Sequence, residues 1–391
     1  MFSRERLRLF QKNWLALDRK LFFLFVLLMV LGCTFSYSFS SSVASRIGVS
    51  DLYFFKRHLV FSAVSIVLLF LMSNMSLGAA RGTSLLLFLV SLLLLSLVPI
   101  LGFRTKGARR WLYVAGLSLQ PSEFIKPSLI LFFAHMLDRF SKTANPKILA
   151  TALVTCSVAI LLIFREPDIG ASLLLLLVLS AQLLLMDFFR PRHCLLMLGA
   201  FAILSIFVYL TFPHVSTRVA NFLLSVKDLG MANYQVRRSI MAYRSAGWLG
   251  KGFLEGGIKG NIPDIHTDFI FPAIAEEFGF GVAFLIVSLY FYIALRVMLV
   301  ARRRNSNYEF LAMNGLILLL VLQASINLCV SLNLLPTKGI TLPFLSYGGS
   351  SLLGTALVSG YLLVFTKREF GILSPRDGAK LLAVKLLGPP S

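Results

Sequence analysis

Long apolar runs alternate with short polar breaks through most of the 391-residue chain, and within each run the apolar residues are near-continuous rather than confined to one face. A helix needs about 20 apolar residues to cross the hydrocarbon of a bilayer. Stretches of that kind fall at 21–40, 58–76, 84–101, 122–138, 148–164, 170–187, 195–212, 269–299, 309–332 and 351–366. The pattern predicts an all-α polytopic membrane protein of about ten transmembrane helices. A tail at 1–20 precedes a membrane domain over 21–366, and a second tail covers 367–391. The widest break, 213–268, separates the seventh and eighth spans and reads as a large extracytoplasmic loop. The run at 269–299 is long enough to tilt or to extend past one membrane face.

Composition narrows the function classes. With 57% hydrophobic and 14% charged residues and a mean hydropathy of +0.82, the chain is too apolar for a water-soluble domain of this length. The net charge of +21 is spread between apolar runs. It therefore points to lipid headgroups, topology and an anionic substrate, and not to nucleic acid. Cys33, Cys156, Cys194 and Cys329 lack metal-site spacing and read as small hydrophobes. The basic N-terminus and the run after it, without a small-residue cleavage site, read as a retained signal-anchor.

Short basic loops stay in the cytoplasm. Arg4, Arg6, Arg8, Lys12, Arg19, Lys20, Arg139, Lys142, Arg190, Arg192, Arg302, Arg303, Arg304, Lys367 and Arg368 then fall on one side, with both termini cytoplasmic. Two segments break the rule. The long 213–268 carries Arg218, Lys227, Arg237, Arg238, Arg244, Lys251 and Lys259, which its length excuses. The short 102–121 carries Arg104, Lys106, Arg109 and Arg110, which nothing topological excuses, so phosphate binding is the expectation there.

Ionisable residues near spans are costly enough that each needs a reason. "LQPSEFIKPS" puts Glu123 and Lys126 at i and i+3, either as a self-neutralising pair or facing substrate. "FREPDIGAS" sets Arg165, Glu166 and Asp168 around a proline turn between two spans. "NIPDIHTDFIF" (261–271) places Asp264, His266 and Asp268 just before an apolar run that also holds Glu276 and Glu277. If the helix starts at Asp268, then Asp268, Pro272 and Glu276 share a face. Asp268 would be either its N-cap or a catalytic carboxylate. No Ser-His-Asp order, Walker loop or H-E-x-x-H motif supports a hydrolase or an ATP-driven transporter.

The blocks "KGARRW" (106–111), "QPSEFIK" (120–126), "EPDIGAS" (166–172), "IPDIHTDFIF" (262–271) and "LLPTKGITLPFLSYGGSSLL" (334–353) occur in the order, and over the extent, that resembles the SEDS family of shape, elongation, division and sporulation proteins. The "LPTKG" form is similar to the division and sporulation branches, of which the division branch is the expectation. The resemblance implies a peptidoglycan glycosyltransferase of the bacterial cytoplasmic (inner) membrane that polymerises lipid II and releases undecaprenyl diphosphate. It further implies a class B penicillin-binding protein and other division or elongation proteins as partners, and a divalent cation, magnesium or manganese, as a cofactor candidate. Asp268 matches the family's catalytic acid. Two departures stand out: Glu166 occupies a position that is usually Gln, and the glycine-rich approach "GKGFLEGGIKGN" is about one residue short, which leaves the role of Lys259 open.

Joined to the chemistry, Asp268 is the expected general base for an acceptor hydroxyl. Arg110, supported by Arg109 and Lys126, and Lys338 are candidates to hold the leaving diphosphate. Trp111 fits an interfacial anchor or a sugar-stacking surface. His266 and Glu276 are substrate-site candidates beside Asp268, and Asp168 and Glu123 are expected to line the same cavity. Ser346, in "SYGGSS", marks a flexible segment that either approaches ligand or packs helices. A lipid II flippase and a non-catalytic scaffold for a transpeptidase are the alternatives. The flippase requires charged groups facing both leaflets.

Overall fold

The computed structural model describes residues 15–105, 108–114, 116–186, 191–257 and 264–367. Twelve α-helices are present among them: α1 (Arg19–Ile47), α2 (Tyr53–Ser73), α3 (Leu77–Leu101), α4 (Pro121–Thr143), α5 (Pro146–Arg165), α6 (Ile169–Leu184), α7 (Pro191–Thr211), α8 (Pro213–Lys227), α9 (Tyr234–Ala246), α10 (Ile270–Ala301), α11 (Asn307–Ser331) and α12 (Gly349–Phe365). Each predicted span falls on one of these helices. The remaining cations of the N-terminal tail, together with Lys106, Arg190, Lys259 and Arg368, lie outside the described residues, as does the side chain of Cys194. Cys33, Cys156 and Cys329 are free thiols.

Local chemistry sets the helix ends. Asp18 caps α1 by accepting the Leu21 N–H at 3.2 Å. The same carboxylate takes a fork from Arg296 near the end of α10, with Nε at 2.8 Å and an Nη at 2.7 Å, joining the two helices at their shared end. Asn145 and Asp168 cap α5 and α6. Proline opens α4, α5 and α8 in the first turn, where its missing N–H costs nothing.

Six helices, α1, α2, α3, α5, α10 and α11, are long and apolar enough to cross a membrane by themselves among the described residues, or seven spans if the pair Leu195–Thr211 and Val215–Lys227, bent by 100°, counts as one. At 16 and 17 residues, α6 and α12 are shorter than an independent span, and α4, though continuous over 23 residues, carries charged side chains. These shorter elements hold their place by packing. Nearly every residue of α12 is buried, against α2, α4 and α11. Outward, α3 presents Leu85, Leu86, Leu89 and Leu93 and α7 presents Leu195, Leu196 and Ile203, a surface that only lipid satisfies over this extent. The chain is therefore a multi-pass membrane protein.

Three departures from the sequence expectation matter for the site. Residues 103–119 are not a bare loop: β1 (Phe103–Thr105), β2 (Ala108–Val114) and β3 (Leu117–Leu119) form an antiparallel sheet in the order β1-β2-β3. The stretch 213–268 contains α8 and α9, and α9 is fastened to α11 where Tyr243 Oη lies 2.8 Å from Ser331 Oγ. Finally, α10 is broken at Gly279, whose φ of 83° only glycine adopts without strain. The strap 247–252 lies along that break: Lys251 N–H donates to the Glu276 carbonyl at 2.9 Å, Gly252 N–H to Glu277 at 3.1 Å, and Phe280 N–H to Gly247 at 3.0 Å.

Candidate active site

All the inter-helix segments that carry the family blocks meet at one end of the bundle. The segment after α11, residues 332–348, forms its floor. Tyr290 hydroxyl donates to the Pro343 carbonyl from α10. From α8, Ser225 hydroxyl reaches Asn333 Oδ1 at 2.9 Å and an Arg218 Nη lies 3.5 Å from the Thr337 carbonyl. Thr341 and Ser351 hydroxyls pair at 2.6 Å, tying the floor to the start of α12.

Over this floor lies a tight turn. The carbonyl of Asp264, whose φ is 53°, accepts the N–H groups of Thr267, Asp268 and Phe269 at 3.0, 3.1 and 3.4 Å. The turn closes the chain before helix begins, so α10 starts at Ile270 with Phe269 in the cap position and no side-chain cap. The capping role open to Asp268 is not realised, and the expected helical face shared by Asp268, Pro272 and Glu276 does not form. Pro272 does fall in the first turn of α10. The Asp268 carboxylate instead faces the backbone of the floor: a methyl group on Gly339 would lie 3.3 Å from Asp268 Oδ2.

Three consecutive carbonyls fix this turn. His266 accepts from Tyr347 N–H at 2.8 Å, Thr267 from Ser346 hydroxyl, and Asp268 from the Asn327 side-chain amide at 2.9 Å. Ser346 also accepts the Leu342 N–H at 2.9 Å. The His266 ring packs on Phe54 and Tyr347 at centroid distances of 4.7 and 5.8 Å. Ser346 thus ties the floor to the turn through two backbone bonds.

Lys338 precedes Gly339 and runs along the start of α6. A methyl on Gly170 would be 3.6 Å from Lys338 Cδ and 3.7 Å from Asp168 Oδ1. Burial first, then the nearby Arg218 charge, hold the Lys338 ammonium below its ordinary pKa, while Asp168 works the other way. Asp168 is itself occupied as a cap, accepting the Ala171 N–H at 3.2 Å.

The sheet delivers Arg110. Its Nε donates to the Glu166 carbonyl at 2.9 Å and an Nη to the Pro167 carbonyl at 2.5 Å, so this guanidinium clamps the α5–α6 turn. Arg109 points elsewhere, to the Pro99 carbonyl at 2.9 Å, and sits across from Arg104 in the strand register. Trp111 is half-buried, paired in register with Phe103. Inside the clamped turn, Glu166 is 1% exposed and neither carboxylate oxygen has a hydrogen-bond partner among the described residues. Burial, reinforced by Asp168 and opposed by Arg110, pushes its carboxyl up to about 8.

Three candidates stand apart from this group. Glu123 and Lys126 form a 2.7 Å ion pair whose side chains are only 15% and 5% exposed. Glu276, fully buried, pairs with Lys251 of the strap at 3.2 Å. A groove of about 440 Å³ between α1 and α2, lined by Met29, Cys33, Tyr37, Leu59 and Ile66, is apolar and shares no residue with the polar cluster. Sequence reasoning passed over Asn327 and Arg218 as site residues. An amide in the apolar run "ASINLCVSL" was the available signal for the first.

The arrangement offers a carboxylate at a turn mouth, an adjacent lysine and a nearby arginine, at one end of a membrane bundle. Comparison with known proteins gives the family. The family model of cell cycle proteins of the FtsW, RodA and SpoVE types matches residues 18–369. A probable peptidoglycan glycosyltransferase FtsW of Caulobacter vibrioides is 34% identical over 360 residues, covering 92% of this chain and 91% of the relative. Its counterpart in Halomonas elongata is 36% identical over 345 residues, covering 86% and 87%. Among solved structures, a chain from a peptidoglycan synthase complex that coordinates polymerization and crosslinking superposes with a TM-score of 0.74 at 28% identity, covering 90% of this chain and 98% of that one. The rod shape determining protein RodA of Thermus thermophilus gives 0.65 at 27% identity, covering 92% and 99%.

Proposed function

From its membership of the FtsW/RodA/SpoVE family of cell cycle proteins, to which this chain belongs, we infer that it is a peptidoglycan glycosyltransferase. Its reaction is the polymerisation of lipid II at the outer face of the bacterial cytoplasmic membrane, with release of undecaprenyl diphosphate. The chain crosses ten times with both termini cytoplasmic, and its role is in division. The observation that carries the reading is the Asp268 carboxylate held opposite Gly339, the residue after Lys338.

Glycosyl transfer from a lipid diphosphate needs the acceptor hydroxyl to lose a proton while the diphosphate leaves. Asp268 takes that proton as general base, a contribution of about 10²–10⁴-fold. Lys338 and Arg218, fixed before the reaction by the floor and α8, stabilise the charge that builds on the diphosphate without reorganising. Two donors of Arg110 hold the α5–α6 turn that carries Asp168, and its charge adds to the same end of the site. A divalent cation, if bound, would offset the negative charge that builds on the leaving diphosphate. Among the described residues, no three His, Cys, Asp or Glu side chains gather to hold one by themselves.

The partner is a class B penicillin-binding protein that crosslinks the new strands; the similar solved chain from a synthase complex supports this. A flippase would need charged groups open to both leaflets, whereas Asp268, Lys338, Arg218 and Arg110 gather at one end. The test is reconstitution with the cognate transpeptidase and labelled lipid II. Wild type should make glycan polymer and Asp268→Asn should make at least about a hundredfold less. Equal polymer from both would remove Asp268 from the chemistry.

A further inference from the structure

Asn327 lies in the last third of α11, 2% exposed, in surroundings where an amide must be explained by what it binds. A primary amide has two N–H donors. Here the Nδ2 group donates to the Asp268 carbonyl at 2.9 Å and to the Ile340 carbonyl at 2.7 Å. Its Oδ1 has no partner among the described residues, so the side chain works through its donors alone.

Those two carbonyls belong to the two segments that face each other across the site. Asp268 carries the carboxylate, and Ile340 directly follows Gly339, against which that carboxylate lies. The other ties on the turn, from Tyr347 to His266 and from Ser346 to Thr267, come from the floor itself and end before Asp268. Asn327 belongs instead to a long helix beneath both segments. Its amide therefore anchors the Asp268 and Ile340 backbones to a common point.

We propose that Asn327 is a positioning residue of the glycosyltransferase reaction, setting through its two amide donors where the Asp268 carboxylate stands relative to the Lys338–Gly339 backbone. The inference rests on the function proposed above. Asn327 touches no reacting atom. Loss of its bridge lets the base drift, and a misplacement of about 1 Å costs on the order of 10²-fold in rate. Arg218 of α8, outside this bridge, still holds the diphosphate, so substrate binding changes far less than rate.

The experiment compares wild type, Asn327→Ala and Asn327→Gln in complex with the cognate transpeptidase, reading kcat and KM for lipid II, lipid II affinity and thermal midpoint. Asn327→Ala should lower kcat about 10²-fold, with KM and affinity within about twofold of wild type. Asn327→Gln, which keeps both donors on a longer arm, should recover at least about tenfold of that loss. If the alanine variant does not fold, Asn327→Ser keeps one donor and should lose at least about tenfold in kcat at unchanged KM. Unchanged kcat in these variants overturns the proposal, as does a fall in affinity and thermal midpoint that parallels the fall in kcat. A wild type that binds lipid II but makes no polymer sinks the glycosyltransferase reading and this inference with it. An active wild type with equally active variants sinks the inference alone.

Discussion

The carboxylate of Asp268 is apposed to the α-carbon of Gly339 so closely that a single methyl group there would lie 3.3 Å from Asp268 Oδ2. Gly339 is exposed and its backbone needs no left-handed conformation, so flexibility is not what glycine supplies here. It supplies clearance beside the proposed base.

Gly339→Ala should therefore leave folding nearly intact and slow polymerisation. The alanine methyl forces the carboxylate to give by a few tenths of an ångström, a fraction of the displacement that costs about 10²-fold, so a loss of about tenfold in kcat is expected. Lipid II polymerisation rates and thermal midpoints, measured together, decide it. A wild-type rate would mean that the space above Gly339 is not used in the reaction.

The Glu123–Lys126 pair sits almost out of solvent, which makes its two halves interdependent. Lys126→Met leaves a buried carboxylate without its partner and should destabilise the protein by about 3–5 kcal/mol. The double variant Glu123→Gln with Lys126→Met removes both charges and should regain most of that loss. Thermal unfolding in detergent of the two singles and the double reads the coupling directly. Additive losses would show that each residue is held by something other than its partner.

Legibility of this protein in its sequence followed the physics of each segment. The crossing helices are written as long apolar runs, because lipid demands continuous apolarity. Asp268 was reachable from "HTD" before such a run. Its exact role was not, because the turn that denies it the cap is made by the carbonyl of Asp264, and carbonyls carry no sequence signal. The expectation of helix from Asp268 onward put Glu276 on the Asp268 face, whereas helix begins at Ile270 and Glu276 pairs with Lys251 of the strap. The sheet at 103–119 has strands of three to seven residues, too short for periodicity to register. Both α8 and α9 are polar enough on one side to pass for loop. Asn327 was hidden by its neighbours: its partners come from residues 59 and 13 positions away in sequence, which only the fold brings together.

Glu166 gives the protein a pH dependence of definite sign. Its carboxyl, ordinarily titrating at 4.5, is pushed up to about 8 by burial and by Asp168, against the pull of Arg110. Between these two values the folded chain keeps a proton that the unfolded chain has released. Stability therefore falls as pH rises through that window, and flattens above about 8. The slope contributed by this one group is at most about 1.4 kcal/mol per pH unit. Glu166→Gln is close in shape and cannot ionise, so it removes this slope. The variant should match wild type near pH 5 and exceed it in thermal midpoint by a margin that grows toward about pH 8 and then holds. Thermal denaturation of both proteins across that range makes the comparison. Parallel curves would mean that Glu166 is solvated or paired in the folded protein and carries its charge at neutral pH.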